Sequence, residues 1–186
     1  MLALLNAYFA YDKNPKQAVC ELVEKRHFGA ALAGYAAAAL CWTVFFWVGE
    51  GLNAWGLLWR FVFFWLLEVT MGYLWAGLSG LFLNFFSNQN GSSALFVVLG
   101  LSGFCQGIIL AFALIAAVFG FLKSLAVLVL AIVFLLRFVF VLLNTSRVAG
   151  VGLAKAFCIL CFAFIPVAAI GLLFLGAIGL LVGLMF

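Results

Sequence analysis

Charge is what this sequence has least of. It carries five acidic and nine basic side chains in 186 residues, with one histidine. A soluble domain devotes roughly a quarter of its residues to Asp, Glu, Lys and Arg; here the share is 8%. So few ionised groups cannot wet the surface of a water-soluble fold of this size. They also leave little from which to build an active site that needs clustered acids or histidines, and no enzyme is expected. The five cysteines are an odd number, and Cys41, Cys105, Cys158 and Cys161 lie in apolar stretches, which argues against a disulfide framework. Cys158 and Cys161 form a C-x-x-C inside an apolar run, read as two buried structural thiols. One histidine and one such pair do not make a metal site. No Gly-rich phosphate loop, H-E-x-x-H or G-x-S-x-G is present. No metal and no cofactor is expected. The net charge of +4 sits beside apolar segments, which fits membrane topology rather than nucleic-acid binding.

What is there is apolar: 70% of the residues are hydrophobic and the mean hydropathy is +1.38. The segments 28–49, 69–122 and 156–186 contain no charge, and a helix needs about 20 such residues to cross a bilayer. The expected fold is all-α: one integral membrane domain over 1–186, a polytopic bundle of five transmembrane helices near 29–49, 57–83, 94–119, 124–143 and 157–184. Glu50-Gly51-Leu52-Asn53, the polar stretch 84–93, Lys123, and Asn144 to Arg147 with Lys155 mark the connections. A four-span alternative makes the third and fourth helices one re-entrant unit. The short apolar start, 1–10, has no Lys or Arg ahead of it and is not read as a signal peptide. Two N-x-[ST] sequons, at Asn90 and Asn144, fall in connections placed in the cytoplasm and are read as chance matches.

Residues 1–27 read as a membrane-proximal tail. Asn14-Pro15 is a helix start, with Asn as cap and Pro at the first helical position. Ala18, Val19, Leu22 and Val23 then recur at helical spacing. Two readings stand: an amphipathic helix lying on the bilayer, or a solvated helix packing on the bundle. Basic residues in short loops collect on the cytoplasmic side. Lys13, Lys16, Lys25, Arg26, Arg147 and Lys155 fall on the side of the N-terminus. Lys123, and Arg60 at the edge of the second helix, fall opposite. The N-terminus is therefore expected inside. Trp42, Trp47, Trp55 and Trp59 cluster about the first outer turn as an aromatic belt, while Trp65 and Trp75 lie deeper as packing residues.

Small residues recur every four positions as Ala30, Gly34 and Ala38, as Gly72, Ala76 and Gly80, and as Gly179 and Gly183. Such faces let helix backbones approach closely in lipid; packing within the bundle is the expected use, and a homodimer seam the alternative. Glu68 lies about 17 Å along the second helix at 1.5 Å per residue, where a bare carboxylate is costly and faces the bundle interior or a partner. Arg137 lies at a depth in the fourth helix that agrees with it to about one helical turn. A Glu68–Arg137 pair in the bundle is the hypothesis; the alternative has Glu68 neutral and Arg137 snorkelling to the surface. Thr70, Ser102 and Gln106 complete the candidate lining of a polar pathway.

The order of these features resembles the Yip1-domain family of five-span membrane proteins. Asn14-Pro15-Lys16-Gln17-Ala18-Val19 opens a short helix that meets the membrane. Lys25-Arg26-His27 precedes a helix with Tyr35 and Trp42. Leu99-Gly100-Leu101-Ser102 follows the loop after the second helix, and Lys155 enters a last helix carrying Pro166. The chain is similar to the short bacterial or archaeal type, without the Asp-Leu-Tyr-Gly-Pro signature and long polar N-terminal region of eukaryotic members. The resemblance implies a membrane-organising or partner-binding protein, a trafficking-type scaffold, whose partners are the lipid bilayer and a membrane protein or a second copy. A small transporter or channel component using Glu68 and Arg137 is the alternative. A bacterial cytoplasmic membrane fits the short polar segments best, an endomembrane being the other setting.

Overall fold

The computed structural model describes Val23 and residues 27–47, 54–87, 91–118 and 125–185. The described residues are almost wholly helical and contain no strand. The helices are α1 (Phe28–Trp47), α2 (Ala54–Ser87), α3 (Ser92–Ser102), α4 (Gly107–Val118), α5 (Ala126–Val148) and α6 (Leu153–Met185). A 3₁₀ turn, Gly103–Gln106, joins α3 to α4. Among the described residues, five stretches are long and apolar enough to cross a membrane, with α3 and the start of α4 forming one of them. The chain is an integral, multi-pass helical bundle. The outward face, where large side chains such as Leu66, Leu81, Leu135, Phe162 and Leu172 are exposed, suits hydrocarbon and not water.

The helices differ from the sequence expectation at particular residues. The charge pattern predicts a fourth span ending at 143, yet α5 runs through Asn144, Thr145, Ser146 and Arg147. Polar side chains there serve the helix instead of ending it: Asn144 Nδ2 donates to Phe140 O at 2.8 Å, one turn back. The chain reverses later, at Gly150, whose φ of 59° suits glycine. Likewise α2 continues through Asn84 to Ser87, because Lys155 Nζ, from the first turn of α6, donates to Phe86 O at 2.6 Å and satisfies one of its terminal carbonyls. The last span begins at Leu153, not 157. The third span, expected as one helix over 94–119, is broken by its 3₁₀ turn. The tail helix apart from Val23, the turn at Glu50 to Asn53, residues 88–90 and the turn at Lys123 lie outside the described residues. Val23 is buried in the core cluster that also holds Ala149.

Small residues decide how the helices meet. A Cβ on Gly34 of α1 would stand 2.0 Å from Gly100 O, and one on Gly103 would stand 2.2 Å from Gly34 O. The backbones of α1 and the third span therefore touch, and Ala30, Ala31 and Ala38 are buried along the same seam. Gly72 of α2 makes room for Tyr35: a Cβ there would fall 2.2 Å from the phenol oxygen. Tyr35 is thereby held over α2 while its hydroxyl donates to Phe96 O at 3.2 Å. Ala76 is buried on the same helix, and Gly80 lies against Ser92. Gly179 and Gly183 fall in the last turns of α6, whose side-chain surroundings lie outside the described residues. On the other flank α6 packs on α2 and α5: Trp75 Nε1 donates to Leu160 O at 3.2 Å, and Trp75 rests on the Phe164 ring with centroids 5.3 Å apart.

Gly34→Ala should cost about 1–3 kcal/mol, the usual price of overpacking, because backbone and not a flexible side chain stands in the way. Gly29→Ala, whose Cβ would meet nothing within 4 Å, should cost nothing. Reversible unfolding of both variants in mixed micelles checks this; equal stability would mean that the close approach does not limit the bundle.

Candidate functional site

The core is not apolar throughout. One cluster gathers Tyr35, Ala76, Leu95 to Leu99, Val141 and Leu160; a second gathers Cys41, Ile109 and Val133. In the third span Ser102 and Gln106, and in α5 Arg137, fall between members of the two clusters, while Trp42 on α1 packs against the second.

Glu68 projects from α2 and Arg137 from α5, and the two side chains meet. Arg137 Nη2 donates to Glu68 Oε2 at 2.9 Å and Nη1 to Oε1 at 3.3 Å. This is the two-pronged fit that a planar guanidinium makes with a carboxylate. Each side chain is 14% exposed. The third guanidinium nitrogen is used as well, Nε donating to Ser102 Oγ at 3.0 Å. That hydroxyl in turn donates to Leu99 O, the last step before the 3₁₀ turn. From α1, Trp42 Nε1 donates to Glu68 Oε1 at 3.0 Å. The carboxylate thus accepts from two elements, and the guanidinium donates to two.

Gln106, at the end of the 3₁₀ turn, is 1% exposed. Its side chain lies beside the same carboxylate, while its Oε1 has no hydrogen-bond partner among the described residues. Four spans, carried by α1, α2, α3 with its 3₁₀ turn, and α5, therefore converge on one carboxylate. A charge removed from water needs this many partners, since attraction to a single counter-ion rarely offsets desolvation.

The sequence-derived candidates divide accordingly. Glu68, Arg137, Ser102 and Gln106 come together. Thr70 does not, and the expectation that it lines the polar interior is corrected. Two residues beyond Glu68, it is turned some 200° about a 3.6-residue helix and is exposed on the outward face. Trp42 is the residue that sequence reasoning misplaced, as a member of the outer belt. It lies about 7 Å deeper than Trp47 at 1.5 Å per residue, and that offset was the available signal. Trp55 and Trp59 are exposed, their rings edge to face at 6.3 Å. The C-x-x-C thiols are not both buried: Cys158 is exposed and Cys161 half-buried, because α6 turns that edge outward. Among the described residues no three His, Cys, Asp or Glu side chains gather as metal ligands.

Compared with protein-family models, curated proteins and solved structures, the chain matches none.

If the pair stabilises the bundle as a unit, Glu68→Gln and Arg137→Gln should each lower unfolding stability by roughly 3 kcal/mol, the cost of stranding one buried charge. The double variant should be no worse than either single one. A thermodynamic cycle in reconstituted bilayers reads this, and strictly additive losses would show that the two side chains act separately.

Proposed function

We propose that this chain is a non-enzymatic, multi-pass membrane scaffold that organises the membrane around it or binds a membrane-protein partner. The observation that carries this reading is the closure of the polar layer. Every nitrogen of the Arg137 guanidinium and both oxygens of Glu68 are engaged within the bundle, so the charges are committed to holding helices together. A carrier would keep such groups free to bind and release a substrate. The resemblance to the short Yip1-type proteins points the same way, with the N-terminal tail as the segment offered to a partner. The N-terminus is cytoplasmic in this proposal, and a bacterial cytoplasmic membrane is its setting.

A second reading, as a small transporter or channel component, is favoured by one feature. The third span breaks beside the ion pair, and Gln106 carries an unused acceptor there. Broken helices near the middle of a membrane are where transporters hold their substrates.

Proximity labelling from an enzyme fused to the N-terminus should enrich one or a few membrane proteins over a matched five-span control, and the purified chain in proteoliposomes should pass neither ions nor small organic solutes. Flux abolished by Glu68→Gln would overturn the scaffold reading in favour of the second.

Orientation is tested with a membrane-impermeant thiol reagent on a cysteine-free chain. Lys123→Cys and Phe186→Cys should label from outside in intact cells and Ser92→Cys only after opening; the reverse pattern would invert the topology.

A further inference from the structure

The outward face of α2 carries more than lipid requires. Leu66, Thr70, Tyr73, Gly77 and Leu81 follow one another at steps of three and four, so they form one stripe. Thr70 and Tyr73 sit near the middle of the 32-residue apolar stretch Trp55–Phe86. Tyr73 is 69% exposed, and its ring is held on the surface by an edge contact with Phe96 at 6.4 Å. Neither hydroxyl has a hydrogen-bond partner among the described residues. At this depth there is no water to supply one. Beside them Gly77 faces open space: a Cβ there would meet nothing within 4 Å. Gly34, Gly72, Gly80, Gly100 and Gly103, by contrast, each lie against a neighbouring helix. A glycine weakens a helix and leaves a notch, and no part of the described chain fills this one.

We infer that this face is the seam of a homodimer, with α2 crossing its counterpart at Gly77 and the Thr70 and Tyr73 hydroxyls pairing between the two copies. The occupant is a second copy because the face complements itself. A hydroxyl both donates and accepts, and the stripe bears no charge to repel its like. Two copies inserted with the same topology bring the same residues to the same depth about an axis along the membrane normal. Side chains on a helix lean towards its N-terminus, so Tyr73 reaches the level of the other copy's Thr70 while the backbones touch at Gly77. Gly107 also borders open space, but Phe104 and Ile108 beside it are apolar and lipid satisfies them. The seam does not depend on the scaffold reading; a transporter would dimerise by it equally.

The test uses the purified cysteine-free chain in phosphatidylcholine vesicles. Gly77→Cys and Leu81→Cys should form disulfide-linked dimers on oxidation, while Leu172→Cys, 71% exposed on α6, should not. Energy transfer between singly labelled copies, diluted with lipid, should show Tyr73→Phe weakening the dimer roughly five- to tenfold, since it removes two symmetric hydrogen bonds worth a few-fold each. Thr70→Val should weaken it similarly and add little on top. Tyr73→Phe changes one exposed oxygen, so retained thermal stability of the variant shows that folding is intact. Cross-linking at Leu172→Cys as fast as at Gly77→Cys, a monomeric wild-type chain, or a Tyr73→Phe dilution curve identical to wild type would each overturn the seam. A monomeric wild-type chain would leave this face to a different membrane protein.

Discussion

A carboxylate and a guanidinium carried into hydrocarbon on separate helices have few places to go. Glu68 starts near the middle of α2 and Arg137 near the middle of α5, and neither can regain bulk water without unpacking the bundle or reaching a long way along its own helix. Bringing them together at 2.9 Å sets the depth of α2 against α5. The remaining hydrogen-bond sites of the two groups then reach for Trp42 on α1 and Ser102 at the end of α3. Most of the architecture on that side of the molecule follows from this one compensation.

The glycines supply the other half of the arrangement. In lipid there is no hydrophobic gain from pressing one apolar helix on another, so close packing must do the work. Contact between the backbones at Gly34, Gly100 and Gly103 draws the third span onto α1 at the level where Ser102 must meet Arg137. The 3₁₀ turn follows directly after Ser102, where the Gly103 N–H reaches back to Gly100 O and Leu101 O. The tighter winding carries Gln106 round to the Glu68 carboxylate. Polar convergence and backbone contact thus reinforce each other at one level of the bundle.

Much of this is legible in the sequence. Charge distribution placed five apolar segments, and arithmetic on helical rise put Glu68 and Arg137 at matching depths. The four-residue recurrence of small side chains marked seams in α1 and α2. What the sequence does not reveal depends on angle and not on depth. Thr70 shares the level of Glu68 but not its face. Trp42 has the composition of an interfacial residue, yet its ring turns inward. Asn144 to Arg147 have loop-like composition, and only the i−4 bond from Asn144 shows how the helix absorbs them. The glycines of the third span stand at 100, 103 and 107, a spacing that does not repeat every four and so does not read as a stripe.

The claim on which the rest turns is that Glu68 and Arg137 are bonded to each other within the bilayer. Solid-state NMR on the chain in lipid, with labelled arginine and glutamate side chains, measures it directly. The account predicts strong dipolar coupling between the Arg137 guanidinium nitrogens and the Glu68 carboxyl carbon, lost in Glu68→Gln. Coupling of those nitrogens to lipid phosphorus, with none to the carboxyl, would mean that Arg137 snorkels to the headgroups and that the polar layer is not what holds these helices together.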